Sequence, residues 1–177
     1  MSMQGWMKLL GAVFIVSGAA GCGAWFANRY RQRIAQLEQL KQMIVFLKGQ
    51  ILYANAPLSE ALEAVGKRME GVLGRLFLEV AGRIEQRPGE PFRTIWKESL
   101  SCLEGNCALT KSDRQTLETL GEHLGFLDRE SQERTLLLYL EQVDDQLKAL
   151  KEHRQERCRL YTSLGIMGGL FLAVILV

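Results

Sequence analysis

Hydrophobic and polar positions are segregated along this chain on two scales. On the larger scale, no charged residue occurs from Leu9 to Ala27 or from Leu160 to Val177, whereas every acidic residue and all basic residues but Lys8 lie between Asn28 and Arg159. On the smaller scale, Ile34, Leu37, Leu40, Ile44, Leu47 and Ile51 recur at intervals of three and four, the spacing that keeps one face of a helix apolar. Leu136, Leu140, Val143, Leu147 and Leu150 repeat that pattern near the other end. Strand-like alternation is not sustained over any length. The pattern therefore predicts an all-α protein: a helical bundle built on two long antiparallel helices that extend into N- and C-terminal transmembrane spans.

The first uncharged run is 19 residues long and the second 18. At about 1.5 Å per residue each is long enough for a hydrocarbon core of about 30 Å, and in lipid the backbone must satisfy itself as a helix. The boundaries predicted are a transmembrane helix over 5–27, a cytoplasmic helical bundle over 28–159 and a second transmembrane helix over 160–177. Trp6 at one end of the first span, and Trp25 with Tyr30 at the other, suit the membrane interfaces. No helix breaker separates the first span from the stripe that follows it, so Gly5 to Leu52 reads as one rod of about 70 Å, and Asp128 to Val177 as another of about 75 Å.

Shorter helices fill the interval. Pro57 opens one that runs to about Met69, with Leu58, Ala61, Leu62 and Val65 on its apolar face. Val72 to Gln86 forms the next, with Leu73, Leu76, Phe77 and Val80 inward, and ends at the break Arg87-Pro88-Gly89-Glu90-Pro91. Phe92 to Leu103 follows, burying Trp96 and Leu100, and stops at Gly105-Asn106. Thr110-x-x-Asp113 reads as a capping box for a helix to Gly121. Asp128 reads as the N-cap of the last rod, with Glu130 in its first turn, where the helix dipole favours an acid. Short connections imply antiparallel neighbours.

Charge then sets orientation and excludes one class of function. The middle carries 21 basic and 20 acidic groups with no basic cluster of the kind a nucleic-acid binder needs. Arg29, Arg31, Arg33 and Lys41 follow the first span, and Lys148, Lys151, Arg154, Arg157 and Arg159 precede the second, against Lys8 alone on the far sides. The positive-inside rule places the middle in the cytoplasm and both termini outside. Ala19-Ala20-Gly21-Cys22 resembles a lipobox, which would make the chain an exported lipoprotein adaptor anchored at Cys22, but the apolar run continues through Ala27, past that cleavage point. A membrane signalling protein is a further alternative, and would need an extracellular part for which neither end leaves room.

Candidate chemistry is sparse. No phosphate-binding loop, dinucleotide fingerprint, zinc-protease helix or nucleophile elbow is present. Cys102 and Cys107 with His123 are spaced more widely than the usual zinc pairs, and read as reduced thiols at a helix end. His153 sits among Lys151, Arg154 and Arg157 as a solvated position. Asp144 and Asp145 are adjacent and so face different ways. Catalytic residues, metal ligands and cofactors are therefore all expected to be none. Glu60 and Glu63 share one face near a helix N-terminus, where they serve as surface acids or as a contact for a basic partner. Small residues recur at four-residue spacing in both spans: Ser17 with Gly21, Gly18 with Cys22, Ala20 with Ala24, and Gly165 with Gly169. That spacing suits helix packing in lipid, within the chain or on a partner, a second copy included.

Four stretches, in this order, resemble the stage III sporulation protein AB family of endospore-forming bacteria over essentially the whole chain. They are Met7-Lys8-Leu9-Leu10-Gly11-Ala12 with Arg29-Tyr30-Arg31-Gln32-Arg33 after the span; Ala56-Pro57-Leu58-Ser59-Glu60-Ala61-Leu62; the stretch from Leu120-Gly121-Glu122-His123-Leu124-Gly125 through Asp128 to Gln132; and Tyr161-Thr162-Ser163-Leu164-Gly165 before the apolar tail. The four cysteines belong to no motif of that family. The resemblance implies a non-enzymatic platform in the mother-cell membrane during sporulation, similar to the inner-membrane platforms of type II secretion and type IV pilus systems. It also implies docking to the stage III sporulation protein AA ATPase and to other subunits of the same complex. On this reading Glu60, Glu63, Gly121, Gly125, Asp128 and Gln132 are candidates for partner binding. In the third stretch, Gly121 and Gly125 are expected to flank a helix break that Asp128 then caps, with Gln132 one turn on.

Overall fold

The computed structural model describes residues 3–125 and 128–176 of the 177, and within the apolar ends the side chains of residues 3–10, 12, 169–170 and 172–176 lie outside the described set. The described residues are helical and contain no strand. Seven α-helices are seen among them: α1 Met3–Leu52, α2 Leu58–Arg68, α3 Gly71–Gln86, α4 Phe92–Ser99, α5 Lys111–Leu124, α6 Arg129–Glu152 and α7 Arg154–Leu176. A single 3-10 turn, Leu100–Leu103, continues α4.

The chain divides into two compact units. One takes the residues up to Gln32 and from Ala149 onward; the other takes Arg33–Lys148. The second unit has the larger core. From α1 it buries the whole predicted stripe, Ile34, Leu37, Leu40, Ile44, Leu47 and Ile51, with Met43 added, and from α6 it buries Leu136, Tyr139, Val143 and Leu147. Each such aliphatic side chain contributes about 1.5–3 kcal/mol when fully removed from water. The α2–α3 hairpin adds Leu62, Val65, Leu73, Leu76, Phe77 and Val80, and α4 adds Ile95 and Trp96. Gly89 (φ +92°) and Gly105 (φ +73°) adopt the left-handed backbone that the two turns require.

In the first unit α1 and α7 run antiparallel, and the backbones approach closely. A Cβ on Gly23 would lie 2.5 Å from the Tyr161 carbonyl oxygen, and one on Gly165 would lie 2.7 Å from the Ala19 carbonyl oxygen. Two turns along, the Cys158 thiol lies 3.8 Å from the Ala27 carbonyl, and the Tyr30 hydroxyl donates to the Leu150 carbonyl at 3.0 Å. Phe26 stacks on Tyr161, with centroids 6.0 Å apart.

Three expectations are changed. The last rod is interrupted at His153, between α6 and α7. Lys148, Lys151, Arg154 and Arg157 stack like charges at three-residue spacing through that point, which disfavours an unbroken helix there. The helix that opens at Thr110 passes through Gly121 and ends at Leu124. The Phe92 helix tightens into its 3-10 turn after Ser99. Among the described residues no helix is long and apolar enough to cross a membrane. The two expected spans lie partly outside the described side chains, Gly169 among them.

Candidate partner-binding site

The sequence-predicted partner residues fall on two helix pairs of the larger unit. Glu60 and Glu63 lie on α2, which packs on α3; Gly121, Gly125, Asp128 and Gln132 lie around the end of α5 and the start of α6, and α5 packs on α4.

The α4–α5–α6 corner is built around Trp96. Its ring is fully buried, packs edge-on against Phe77 at 5.8 Å and tilts over Phe92 at 5.7 Å. Its indole N–H donates to the Leu117 carbonyl at 2.9 Å, so the one polar atom of the ring is satisfied. Gly121 is what admits the ring: a Cβ at that position would lie 2.0 Å from Trp96 Cδ1. Gly125 does the same for Phe92, whose Cβ would be 2.6 Å from an added methyl. Gly121 thus sits inside α5 as a packing surface rather than beside a break.

Beyond Gly125 the next helix is started by side-chain hydrogen bonds. Asp128 Oδ1 accepts from the Ser131 amide at 2.8 Å, as an N-cap does. Hydrogen bonding to Ser131 holds the exposed Asp128 carboxyl below its ordinary value. Gln132 Nε2 donates back to the Leu124 carbonyl at 3.0 Å, tying α6 to one of the orphan carbonyls at the end of α5. All four corner candidates therefore have a structural task.

The other end of α5 holds a charged contact. The Arg33 guanidinium on α1 meets both Asp113 oxygens at 2.8 Å, while Asp113 Oδ2 also accepts from the Thr110 amide at 2.8 Å, and the Asp113 amide donates to the Thr110 hydroxyl at 3.2 Å. The expected capping box is therefore present, with its carboxylate shared with Arg33. Burial works against the Asp113 charge, but Arg33 and Thr110 outweigh it and hold the carboxyl below its usual value. Burial, reinforced by the Asp113 charge, pushes the nearby Tyr139 phenol well up. Nothing local marked the Arg33 partnership, which joins residues 80 apart in sequence.

Glu60 is exposed on α2, and Glu63 pairs with Lys67 at 2.6 Å one turn on. Cys107 is buried and its thiol donates to the Leu103 carbonyl at 3.0 Å; burial pushes the Cys102 thiol up, away from the reactive thiolate. Among the described residues no group of three His, Cys, Asp or Glu side chains could hold a metal ion.

In the first unit the structure redistributes the glycines. Gly18 and Gly21 face open space within this chain, as does Gly168, so of the two expected settings only packing on a partner is left to them. The Ser17 hydroxyl bonds back to the Val13 carbonyl within its own helix. Gly165 does pack, and its partner is Gly23, which the four-residue pairs had passed over. Ala19, Gly23 and Ala27 form their own small-residue series, a signal visible in the sequence though not distinctive there.

Together these features define an all-helical protein whose glycines, caps and buried aromatic rings set close helix contacts. The chain belongs to the stage III sporulation protein AB family, whose model matches residues 8–177. It is 29% identical over 170 residues to the stage III sporulation protein AB of Bacillus subtilis (strain 168), a match that covers 96% of this chain and 99% of that protein. It is also similar to a solved structure of a stage III sporulation protein AB, with a TM-score of 0.65 and 25% identity over 71% of this chain and 98% of that one.

Proposed function

We propose that this protein is a non-enzymatic membrane platform of a sporulation secretion-like complex. On this reading the α1–α7 pair sits in the mother-cell membrane. Unit Arg33–Lys148 lies in the cytoplasm and docks the stage III sporulation protein AA ATPase, with Glu60 on α2 as the acidic contact. The observation that carries the reading is the surface of the α1–α7 pair. Phe14 is 77% exposed and Leu164, Met167 and Phe171 are each 67% exposed, around a seam closed by Gly23 and Gly165. A pair of helices with small residues inside and large apolar ones outside inverts the order favoured in water and suits lipid. Trp25 with Arg29 at 5.6 Å, and Phe26 with Tyr161, sit where such a pair would leave the hydrocarbon.

The test is thiol topology in intact sporulating cells. In a Cys22→Ser, Cys158→Ser background, Cys107 is buried and Cys102 half-buried, so an exposed reporter, Glu104→Cys, carries the readout. A membrane-impermeant maleimide should label it only after lysis. Labelling in whole cells would place Arg33–Lys148 outside, remove the ATPase as a partner and favour the exported lipoprotein anchored at Cys22. With the topology established, Glu60→Lys should lower ATPase co-purification, and unchanged recovery would remove the α2 acid from the docking surface.

A further inference from the structure

An open cleft of about 670 Å³ lies in the first unit, lined by Arg31 of α1, Lys151 of α6, and Arg154, Arg159, Thr162 and Ser163 of α7. Cations come from both sides of the helix pair, and no carboxylate lines the cleft among the described residues. The acid that precedes Arg157, Glu156, is turned to His153 Nδ1 at 3.5 Å. The Thr162 hydroxyl donates to the Cys158 carbonyl at 2.9 Å, which leaves the Ser163 hydroxyl as the neutral donor for a ligand. The like charges of Arg31, Arg154 and Arg159 converging on one concavity repel one another, and a multiply charged anion there would offset that repulsion. The cleft adjoins the α1–α7 seam: Cys158, which lines it, contacts the Ala27 carbonyl, and Ser163 is two residues from Gly165.

We propose that this cleft binds the phosphodiester headgroup of an anionic phospholipid. The proposal rests on the membrane reading above and deepens it by naming a ligand site. Arginine suits phosphate because its planar fork gives two parallel donors. The location suits a lipid rather than a free phosphate. Leu160 and Leu164, exposed beside the cleft, offer a path for acyl chains, and the cations begin where the apolar surface ends. Basic pockets between helices at the membrane surface hold acidic headgroups in this manner. The positive-inside distribution alone would scatter these charges; here the fold gathers them into one site.

The experiment uses the full chain reconstituted in nanodiscs. Resistance to alkaline extraction from purely zwitterionic vesicles is measured first, and failure there overturns the membrane reading itself. If the chain is retained, bound lipid is counted by native mass spectrometry in zwitterionic discs titrated with phosphatidylglycerol or cardiolipin. The wild type should retain anionic lipid, and Arg31→Gln/Arg154→Gln/Arg159→Gln should weaken retention on the order of 100-fold at unchanged helicity. The matching Arg→Lys triple variant, which keeps the charge but not the fork, should recover only part of it, and a control triple, Arg75→Gln/Arg93→Gln/Lys111→Gln in the other unit, should leave it intact. Equal loss in the control triple would show diffuse attraction and overturn the site. Occupancy by inorganic pyrophosphate in zwitterionic discs at equal affinity would show a soluble phosphate ligand and overturn the lipid assignment.

Discussion

Substituting alanine for a helical glycine has opposite expected signs at two positions of this protein. In an unobstructed helix interior, Gly→Ala stabilises by about 1 kcal/mol, because alanine loses less backbone entropy and has the higher helix propensity. Gly82 in α3 meets that condition: nothing lies within 4 Å of an added Cβ. Gly121 in α5 does not. An alanine methyl would lie 2.0, 2.3 and 2.4 Å from three atoms of the Trp96 ring, where ordinary contact begins at 3.4 Å. The ring must retreat by roughly 1.4 Å, but Trp96 is fully buried and wedged between Phe77 and Phe92. Overpacking of this kind costs about 1–3 kcal/mol. A shift of that size also breaks the 2.9 Å bond to the Leu117 carbonyl, and a buried donor left unmatched costs about 1–3 kcal/mol more. Against a gain of about 1 kcal/mol, Gly121→Ala should destabilise by about 1–5 kcal/mol while Gly82→Ala stabilises by about 0.5–1 kcal/mol. The assay is urea unfolding of the full chain in a mild detergent, followed by far-UV circular dichroism. Gly121→Ala/Trp96→Phe should recover part of the loss, since the smaller ring can yield. A Gly121→Ala protein as stable as the wild type would refute the packing argument.

Three further outcomes are expected. The Asp113 carboxyl is held below its ordinary value, so its stabilising contribution is present above the unfolded pKa of about 3.9 and is lost as pH falls through the lower folded value. Asp113→Asn should therefore destabilise at neutral pH by about 2–3 kcal/mol, less than for a fully buried pair because Arg33 can reach water. Its stability should also fall less steeply than the wild type's below about pH 4; parallel acid profiles would show that Asp113 is not linked to folding. Gln132→Ala, which removes the bond to the Leu124 carbonyl, should lower unfolding stability by about 1 kcal/mol, and an unchanged urea midpoint would show that the bond contributes nothing. Gly23→Leu or Gly165→Leu should reduce disulfide formation between Cys158 and an introduced Ala27→Cys by roughly tenfold, equivalent to about 1.4 kcal/mol of lost pairing. Gly18→Leu, which faces open space, should leave that yield unchanged, and equal yields in all of these variants would dismiss the glycine seam.

The stage III sporulation protein AB family assignment places these contacts in a chain whose likeness extends from residue 8 to residue 177, so the corner around Trp96 and the α1–α7 seam both lie within the matched region. The candidate partner residues acquire a different weight from their geometry. Asp128 and Gln132 spend their polar atoms on the start of α6 and the end of α5. Glu60 is exposed on α2, which is why the docking test is placed there.

Helix positions, apolar faces and caps were determined by the sequence alone. The stripe from Ile34 to Ile51, the Thr110–Asp113 box and the Asp128 cap each depend on residues within about four positions of one another, where helical periodicity and side chain to backbone bonds act. Only the tertiary structure decided which glycines pack within the chain. Gly18, Gly21 and Gly82 face open space whereas Gly23, Gly74, Gly121 and Gly165 stand against another chain segment, and the difference lies in what the opposing element supplies. Arg33 found Asp113 for the same reason, across 80 residues. The basic cleft likewise needed α1 and α7 to be brought side by side before Arg31 could join Arg154 and Arg159. Periodicity reports which face of a helix is apolar; it carries no record of the surface that face will meet, because that surface is made by a distant part of the chain.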